Sequence, residues 1–314
     1  MARQRPNSPA CLRPPHVRTT FPPNLPPPDP TVPPAAILHW SALTHSGSRK
    51  SRNDDSFIAF ASGPQGAEML GAEGAHSLAN HDLVFAVSDG MGGGNAGDLA
   101  SSIILRQMSE IIPETFKAAA TGLFPDCLSH LEDAIRSVHE HLNAAAAGRD
   151  DLRGMAATLA LAWFTPENLY LANAGDSRIY LSRHGRLSQL TRDHTSAWGQ
   201  WKRGEISEIQ YRTHPRRSAL YEVVGGGHLG VCPHFAAIPY QPGDRFLVCS
   251  DGLIDGVWER HIADALATCP EQPGPTTEAL AKRAIDNAGT DDTTLILIAV
   301  GAPEKIAEGA TGKP

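Results

Sequence analysis

The apolar and polar positions of the chain fall into blocks whose periods predict both strands and helices. The run Leu83–Val87 is continuously apolar, which is too short for a free helix and typical of a strand buried on both faces. Longer segments repeat their apolar residues at helical spacing. The predicted strands are Ile37–Thr44, Ser56–Phe60, Leu83–Val87, Ala157–Phe164, Asn168–Ala174, Arg178–Ser182, Asp244–Cys249 and Leu295–Val300, and the predicted helices are about Ala96–Lys117, Asp126–Ala147, Glu259–Thr268 and Thr276–Ala288.

The second of these helices is predicted to be amphipathic. Its apolar residues Leu128, Leu131 and Ile135 recur at helical spacing. His139 and His141 lie on the same segment and are of a type that binds metals. Because residues two apart lie on different faces of a helix, we expect both histidines to be exposed to solvent rather than to form a metal site.

Four polar segments set the expected domain boundaries. Residues 1–35 are rich in proline and bury too little apolar surface to fold, which predicts a disordered tail. Residues 61–82 contain mainly glycine, alanine and polar residues, which indicates a connecting loop of low order. The remaining expectations are one folded domain at 36–302, a polar flap within it at about 194–227, and a flexible C-terminal tail at 303–314.

The flap contains at most short helices, and a polar insertion of this kind often covers a site or contacts substrate. An excursion with a purely structural role is equally compatible with the pattern. His194 and His214 lie in this segment as candidate acids, although a structural role is favoured for each.

Charge and cysteine usage narrow the functional classes. The net charge of -7 and the pI near 6.0 argue against a nucleic-acid or anionic-membrane partner. Five scattered cysteines without a Cys-x-x-Cys pair indicate reduced thiols in a cytosol. No apolar run reaches roughly 18 residues and no secretory apolar core follows the N-terminus, so a cytoplasmic location is expected.

The candidate chemistry lies where strands meet loops. Asp89 follows the buried strand Leu83–Val87 and precedes a glycine-rich turn. An ordinary turn and a phosphate cradle are alternatives, but the turn has neither a Gly-Lys-Ser/Thr ending nor a clean Gly-x-Gly-x-x-Gly spacing. A carboxylate beside a free glycine carbonyl, that of Gly90, instead favours a hard cation such as magnesium or manganese.

Other aspartates occupy comparable positions. Asp251 follows a second apolar strand, and Asp291 precedes the last one. Asp176 lies in the short gap between two predicted strands, where the short gaps indicate antiparallel hairpins and a turn residue is the simpler interpretation. If neighbouring sheets bring Asp89, Asp251 and Asp291 together, two divalent ions would offset their repulsion and activate a bridging water for attack on a phosphate.

The order of the motifs resembles that of the metal-dependent protein serine/threonine phosphatase family, the protein phosphatase 2C group, in its bacterial form. Each motif is weakly specific alone, whereas the ordered set is strongly specific. The resemblance extends over about Ile37–Val300 and rests on segments 53–57, 88–93, 97–101, 155–159, 175–178, 190–194, 250–253 and 291–294.

The resemblance implies an α+β fold, an α-β-β-α sandwich in which two stacked antiparallel sheets are flanked by helix pairs. It implies a centre for two Mn²⁺ or Mg²⁺ ions, with a weaker third ion as in bacterial relatives, and no other cofactor. The implied ligands are Asp89 as the carboxylate shared by both ions, the Gly90 carbonyl, Asp251, Asp291, Asp176 for the third ion, and Asp55 through water. An alternative register makes Asp54 the metal-side acid, but Asp55 fits the motif better.

Two departures from the family pattern concern the phosphate and the leaving group. The position where the family usually has a phosphate-binding arginine is Lys50, which lacks the two-pronged grip of a guanidinium. Arg49 or Arg52 is an alternative phosphate ligand, and the choice between Lys50 and Arg49 stays open here. Met91 stands where animal relatives have a histidine that is proposed as the general acid. Bacterial relatives commonly have methionine at this position, so no general acid is assigned.

The implied function is hydrolysis of phosphoserine and phosphothreonine in proteins by a metal-bridged hydroxide. The implied partners are phosphorylated proteins and a cognate bacterial serine/threonine kinase that the enzyme would oppose, and a monomer is expected. The main alternative is a scaffold that binds phosphoproteins without turnover, which Lys50 makes conceivable. A nucleotide-binding protein that uses the Gly92–Gly94 loop is a third hypothesis.

Overall fold

The computed structural model describes residues 22, 25–29, 37–92, 96–120 and 127–302, excluding the side chains of 115–120. The strands are β1 (Ile37–His45), β2 (Asp55–Gly63), β3 (Gly66–Met69), β4 (Glu73–Ser77), β5 (Asp82–Met91), β6 (Ala156–Ala157), β7 (Leu159–Phe164), β8 (Asn168–Ala174), β9 (Arg178–Arg183), β10 (Arg186–Gln189), β11 (Val224–Gly225), β12 (His234–Pro239), β13 (Arg245–Cys249) and β14 (Thr293–Gly301). The helices are α1 (Ala96–Ala120), α2 (Cys127–Ala146), α3 (Ser196–Lys202), α4 (Glu208–Arg212), α5 (Asp251–Gly256), α6 (Glu259–Ala267) and α7 (Gly274–Ala288).

The strands form two antiparallel sheets. One sheet has the order β10-β9-β13-β14-β1-β4. The other has the order β11-β6-β5-β7-β8-β12, and β2 joins it by pairing with both β5 and β3. Apolar side chains from the two inner faces, such as Phe85, Phe164 and Phe246, form a shared core. Two packed sheets around one core are the expected sandwich.

Helices cover both outer faces of the sandwich. The side chains of α1 and α2 share a core with the outer face of the β5 sheet, and those of α5, α6 and α7 share a core with the outer face of the β13 sheet. In α2, Leu128, Leu131 and Ile135 are buried, as the helical spacing predicts. The α-β-β-α layer order that the family resemblance implies is confirmed.

The alternation of side chains along β5 carries Asp89 to the end of the sandwich core. Leu83, Phe85 and Val87 face the space between the sheets, and a period of two residues places Asp89 on the same side. On β2, Ala59 and Ala61 face the same space, and a period of two residues places Asp55 on that side as well. These two carboxylates therefore lie at one end of the space between the sheets.

Two predictions about the strands are wrong. Residues 61–82 are not a loop of low order, because β3 and β4 lie within them. Both strands are largely exposed, so their sequences lack the apolar alternation that reveals a strand. The gap between β8 and β9 does not form a hairpin, since β9 pairs with β10 and β13 in the opposite sheet. Gap length alone cannot show to which sheet the next strand belongs.

The expectation of a disordered leader does not hold for Leu25–Asp29. Leu25 is buried in the core between the sheets, and the Pro26 carbonyl accepts a hydrogen bond from buried Arg183 at 3.0 Å. The rest of 1–36, apart from residue 22, and the predicted tail at 303–314 lie outside the described residues.

His139 is buried, which contradicts the prediction for this histidine. Its Nδ1 accepts a hydrogen bond from the Gly225 amide at 3.0 Å, and its Nε2 lies 3.0 Å from the His228 carbonyl. The histidine thus attaches α2 to the returning end of the flap rather than facing solvent. His141 is exposed, as expected.

The expectation of reduced thiols holds for three described cysteines, Cys127, Cys249 and Cys269, none of which forms a disulfide. It does not hold for Cys232, which is disulfide-bonded. Among the helices of the described ranges, none is both long enough and apolar enough to cross a membrane.

Candidate active site

Asp55 and Asp89 form the centre of an acidic cluster at the end of the sandwich. The two residues are directly opposite each other in the antiparallel pairing of β2 with β5. Like charges at paired positions destabilise a sheet. The pairing therefore brings together two carboxylates that repel each other unless a proton or cation lies between them.

Polar residues at the neighbouring strand ends hold this pair in place. The Ser250 hydroxyl, at the end of β13, donates to Asp55 Oδ2 at 2.7 Å. The Thr158 hydroxyl accepts from the Asp89 amide at 2.9 Å, and it also lies 2.7 Å from the Ser177 hydroxyl. Thr158 thus connects the end of β5 to the turn that carries Asp176.

Asp251 and Asp176 approach the cluster from the second sheet and from the connection between the sheets. Asp251 is the first residue of α5, where a carboxylate is favoured by the helix dipole. Asp176 is buried in the turn that takes the chain from β8 to β9. Asp89 interacts electrostatically with Asp55, Asp251, Asp176 and Asp291, so the structure brings the predicted aspartates together.

Asp291 and its neighbour Asp292 have different environments. Asp291 is partly exposed and faces Lys50 at 3.1 Å. Asp292 is buried and accepts hydrogen bonds from the amides of Gly47 and Asp54, both at 2.8 Å. Asp292 therefore fastens the β1–β2 loop to the start of β14, which leaves Asp291 as the carboxylate that faces the cluster.

Burial and mutual repulsion favour the protonated forms of these acids. Burial, followed by the charges of Asp55 and Asp251, raises the pKa of Asp89 well above its usual range. Burial raises the pKa of Asp55 to about 6, against the hydrogen bond from Ser250. Burial and the charge of Asp193 raise the pKa of Asp176 to about 7. Such coupled acids favour a site that binds either protons or cations.

The donor set suits hard divalent cations. Asp55 Oδ1 and Asp251 Oδ1 are buried without a hydrogen-bond partner, and unpaired buried carboxylate oxygens are costly. Within the described ranges, no three acidic, histidine or cysteine side chains are gathered tightly around one point. Asp55 and Asp89 are nevertheless directly paired on neighbouring strands, and oxygen-only donors match Mg²⁺ and Mn²⁺.

Gly90 allows close backbone approach at the same place. A Cβ at this position would collide with the Gly97 carbonyl at the start of α1 and with the Asp54 carbonyl. The Gly90 amide also donates to the Asp54 carbonyl at 3.0 Å. The glycine is thus required where β5, the β1–β2 loop and α1 meet.

The candidate phosphate ligands differ in their contacts. Lys50 Nζ lies 3.1 Å from Asp291, 3.4 Å from Asp54 and 3.8 Å from Asp292, and these acids raise its pKa despite partial burial. Arg52 forms an ion pair with Asp98 at 3.0 Å, and Arg49 is exposed. Of these three candidates, Lys50 is therefore the one that directly contacts the acidic cluster.

The flap is attached to the site by a buried ion pair that the sequence did not reveal. Arg178, two residues after Asp176, donates to both carboxylate oxygens of Asp193 at 2.6–3.0 Å. Tyr211 of α4 bonds to both partners, at 2.8 Å from Arg178 and 3.2 Å from Asp193. The motifs at 175–178 and 190–194 contain the pair, but only the fold shows that they meet.

A cation from the flap reaches α5. Arg217 forms an ion pair with Asp255 and lies 3.9 Å from Asp251 Oδ2.

Neither histidine in the flap has the features of an acid catalyst. Burial lowers the pKa of His194 to about 4, and its Nδ1 accepts from the Gly175 amide at 3.0 Å. His214 Nδ1 accepts from the Arg216 amide at 3.1 Å.

Comparison with known proteins agrees with this arrangement of strands and acids. The family model described as "Protein phosphatase 2C" matches residues 72–282. The chain belongs to the protein phosphatase 2C family. Among curated members it is 32% identical over 212 residues to the serine/threonine phosphatase Stp of Listeria welshimeri, a match that covers 68% of this chain and 82% of Stp.

The family member PstP of Mycobacterium tuberculosis, a serine/threonine protein phosphatase, is 30% identical over 279 residues. That match covers 87% of this chain but only 48% of PstP, so the chain spans about half the length of this relative. A crystal structure of the PstP phosphatase superposes with a TM-score of 0.69 at 29% identity, covering 84% of this chain and 99% of the solved chain. The PstP catalytic domain in complex with two manganese ions gives a TM-score of 0.66 at 28% identity, covering 85% and 99%.

Proposed function

We propose that the chain is a metal-dependent phosphatase that hydrolyses phosphoserine and phosphothreonine in proteins. The observation that carries this proposal is the pairing of Asp55 with Asp89 among carboxylates that are wholly or partly buried and that repel each other. A purely structural cluster of this kind would cost stability, because each carboxylate opposes the ionisation of the others. Family membership adds the reaction class, since its similar members PstP and Stp are described as serine/threonine phosphatases.

The aspartates are proposed to hold two ions and, more weakly, a third. Asp89 would contact both, the Gly90 carbonyl would contact one, and Asp251 and Asp291 would complete the other. Asp176 with Asp251 would hold a weaker third ion, and Asp55 would act through water. When bound, Mn²⁺ or Mg²⁺ would neutralise the cluster and supply a bridging hydroxide as the nucleophile, so no protein nucleophile is required. The chain's own residues fix these positions: Ser250 donates to the Asp55 carboxylate, and Thr158 accepts from the backbone amide of Asp89.

The proposed substrates are proteins phosphorylated on serine or threonine, and a cognate serine/threonine kinase would supply them. Chemistry requires such a kinase, because a phosphomonoester must be made before it is hydrolysed. The proposed location is the cytoplasm, and the proposed oligomeric state is a monomer.

Substitution of Asp251 by asparagine tests the metal assignment. We expect manganese-dependent phosphate release from a phosphothreonine peptide to fall by about 100-fold or more, since even residues that only support metal ligands cost 10–100-fold. The matched control is Asp255→Asn, one helical turn further along α5 and paired with Arg217. Turnover by Asp251→Asn equal to that of the control would refute the role of Asp251.

The same assay separates the phosphatase from the phosphoprotein-binding scaffold. A scaffold would bind the phosphopeptide in the presence of manganese and release no phosphate. Binding without release by the unaltered chain, at any manganese concentration, would replace the proposed function by this alternative.

We infer that Lys50 rather than Arg49 binds the substrate phosphate, because Lys50 Nζ already lies against the acidic cluster. At saturating manganese, Lys50→Ala is expected to raise KM for the phosphopeptide about tenfold, the loss typical of one hydrogen bond to a charged group. Lys50→Arg should retain a low KM. If Arg49→Ala raises KM and Lys50→Ala does not, the phosphate ligand is Arg49.

A further inference from the structure

The flap returns to the sandwich through three consecutive glycines, Gly225, Gly226 and Gly227, whose φ angles are 90°, 71° and 72°. These angles lie in the left-handed region, which other residues rarely adopt. A run of such angles ends the β11 ladder, so the amides in it need other partners. The Gly226 amide donates to the Met155 carbonyl at 2.9 Å, and the other two amides donate to side chains of α2.

Two side chains of α2 form this attachment, which we call the α2 clasp. His139 Nδ1 accepts from the Gly225 amide at 3.0 Å. Asn143 Oδ1 accepts from the Gly227 amide at 2.8 Å. The two side chains also converge on the His228 carbonyl, which lies 3.0 Å from His139 Nε2 and 3.0 Å from Asn143 Nδ2. Because His139 and Asn143 are four residues apart, they share one face of the helix.

The bond to Gly225 determines which nitrogen of His139 carries the ring hydrogen. A backbone amide can only donate, so Nδ1 is the acceptor and Nε2 donates to the His228 carbonyl. Both His139 and Gly225 are buried. A buried amide that lost this acceptor would have no water to replace it, which is costly.

From the clasp, a ribbon of three strands leads to the acidic cluster. Gly225 on β11 is opposite Ala156 on β6, and Ala157 on β6 is opposite Gly90 on β5. Strand β11 lies at the edge of this sheet, and β11 and β6 each contain two residues. Strands this short form few ladder bonds, so their position depends on what holds the outer edge.

Thr158, the residue that follows β6, binds the backbone of Asp89 twice. Its amide donates to the Asp89 carbonyl at 2.9 Å, and its hydroxyl accepts from the Asp89 amide at 2.9 Å. The segment from Ala156 to Thr158 therefore sets the backbone position of Asp89 and Gly90. These two residues supply the proposed shared carboxylate and the proposed carbonyl ligand.

We propose that His139 is a positioning residue for the metal centre, which acts through Gly225 and β6 on the backbone of Gly90. The effect on metal binding rests on the proposed function, whereas the connection between His139 and β6 does not. Apolar packing is the competing explanation, because Val224 and Leu142 are buried in the core that α2 shares with the β5 sheet. If packing alone held β11, the hydrogen bond to Gly225 would be dispensable.

Two substitutions of His139 separate the hydrogen bond from packing. Asparagine retains an acceptor in the place of Nδ1, whereas glutamine retains a donor in the place of Nε2 and has no acceptor for Gly225. We expect His139→Gln to weaken Mn²⁺ binding about tenfold, the lower end of the cost of losing a group that supports a metal ligand. His139→Asn should bind Mn²⁺ like the unaltered chain, although it removes more volume. Calorimetric titration measures both affinities, at a temperature where thermal unfolding shows each variant to be folded.

Hydrogen exchange of the metal-free chain tests the connection to β6 independently of metal binding. In His139→Gln the Thr158 amide, which donates to the Asp89 carbonyl, should exchange about fivefold faster, as is typical of one lost hydrogen bond. In His139→Asn its exchange should not change. The matched control is His141→Gln, the same change at an exposed histidine of α2, which should alter neither Mn²⁺ affinity nor exchange.

Three results would overturn the proposal. One is a His139→Gln protein with the Mn²⁺ affinity and Thr158 exchange of the His141→Gln control. The second is an equal loss in His139→Gln and His139→Asn, which would assign the effect to packing. The third is a loss in His139→Asn alone, which would assign the effect to the His228 carbonyl. An unaltered chain that binds no Mn²⁺ would instead refute the proposed function, and faster Thr158 exchange in His139→Gln alone would still support the connection to β6.

Discussion

Substitution of Asp89 by asparagine is expected to abolish manganese binding and turnover while stabilising the metal-free protein. Asp89 is the carboxylate on which the charges of Asp55, Asp251, Asp176 and Asp291 all act. Asparagine keeps the shape of the side chain and removes the charge, so it removes a metal ligand and a source of repulsion together. Calorimetric titration with Mn²⁺ and thermal unfolding measure the two effects.

The stabilisation should depend on pH in a defined direction. A carboxyl whose pKa is higher in the folded than in the unfolded state stabilises the fold only while it is protonated, and this stability is lost as pH rises through the folded pKa. The pKa of Asp55 is raised to about 6 and that of Asp176 to about 7. We therefore expect metal-free protein to lose stability from about pH 4, near the pKa of an unfolded carboxyl, to about pH 7. Asp89→Asn should lose less.

The matched control for Asp89→Asn is Asp82→Asn, at the other end of β5. Asp82 is also buried, burial raises its pKa to about 6, and it accepts a hydrogen bond from Trp163 Nε1 at 2.9 Å. This variant should bind manganese with unchanged affinity. An Asp89→Asn protein that binds manganese as tightly as Asp82→Asn would contradict the account of the cluster.

Replacing Arg178 by alanine is expected to destabilise the protein by about 3–5 kcal/mol, the usual cost of leaving one charge of a buried pair without its partner. Arg178 and Asp193 have side-chain exposures of only 2% and 1%. Their contact joins the Asp176 turn to the beginning of the flap, so the loss should also loosen α4 through Tyr211. Denaturant unfolding at constant manganese concentration measures the change.

The double variant Arg178→Met with Asp193→Leu provides the control. Because it removes both charges and retains apolar volume, it should recover much of the stability lost in Arg178→Ala. A double variant that is less stable than the single variant would show that the charge pair is not the main source of the loss.

The sequence predicts most reliably the parts of the fold that are buried on a regular period. The strand at Leu83–Val87 was recognisable because all of its side chains are buried, and α2 because one face is. In contrast, β3 and β4 are exposed and carry no such signal. The burial of His139 has no local signal, because its partners, Gly225 and His228, belong to a loop that is distant in sequence.

The candidate site shows a similar division. The positions of aspartates at strand ends, and their order in the chain, predict the acidic cluster. The contacts of single residues within the cluster follow only from the fold. Asp292 differs from Asp291 only in that its carboxylate binds the amides of Gly47 and Asp54. Ser250 supports Asp55 across a distance of 195 residues in the chain. No local pattern contains such pairings, because they arise when the two sheets pack.

Diffraction at the manganese absorption edge tests the central claim most directly. Crystals of the unaltered chain grown with Mn²⁺ should show two anomalous peaks at the end of the sandwich, both roughly 2.1 Å from oxygens of Asp89, a distance typical of small divalent ions. One of these peaks should also contact Asp251. Manganese-dependent phosphate release by the same protein, with no anomalous peak in contact with Asp89, would contradict the account.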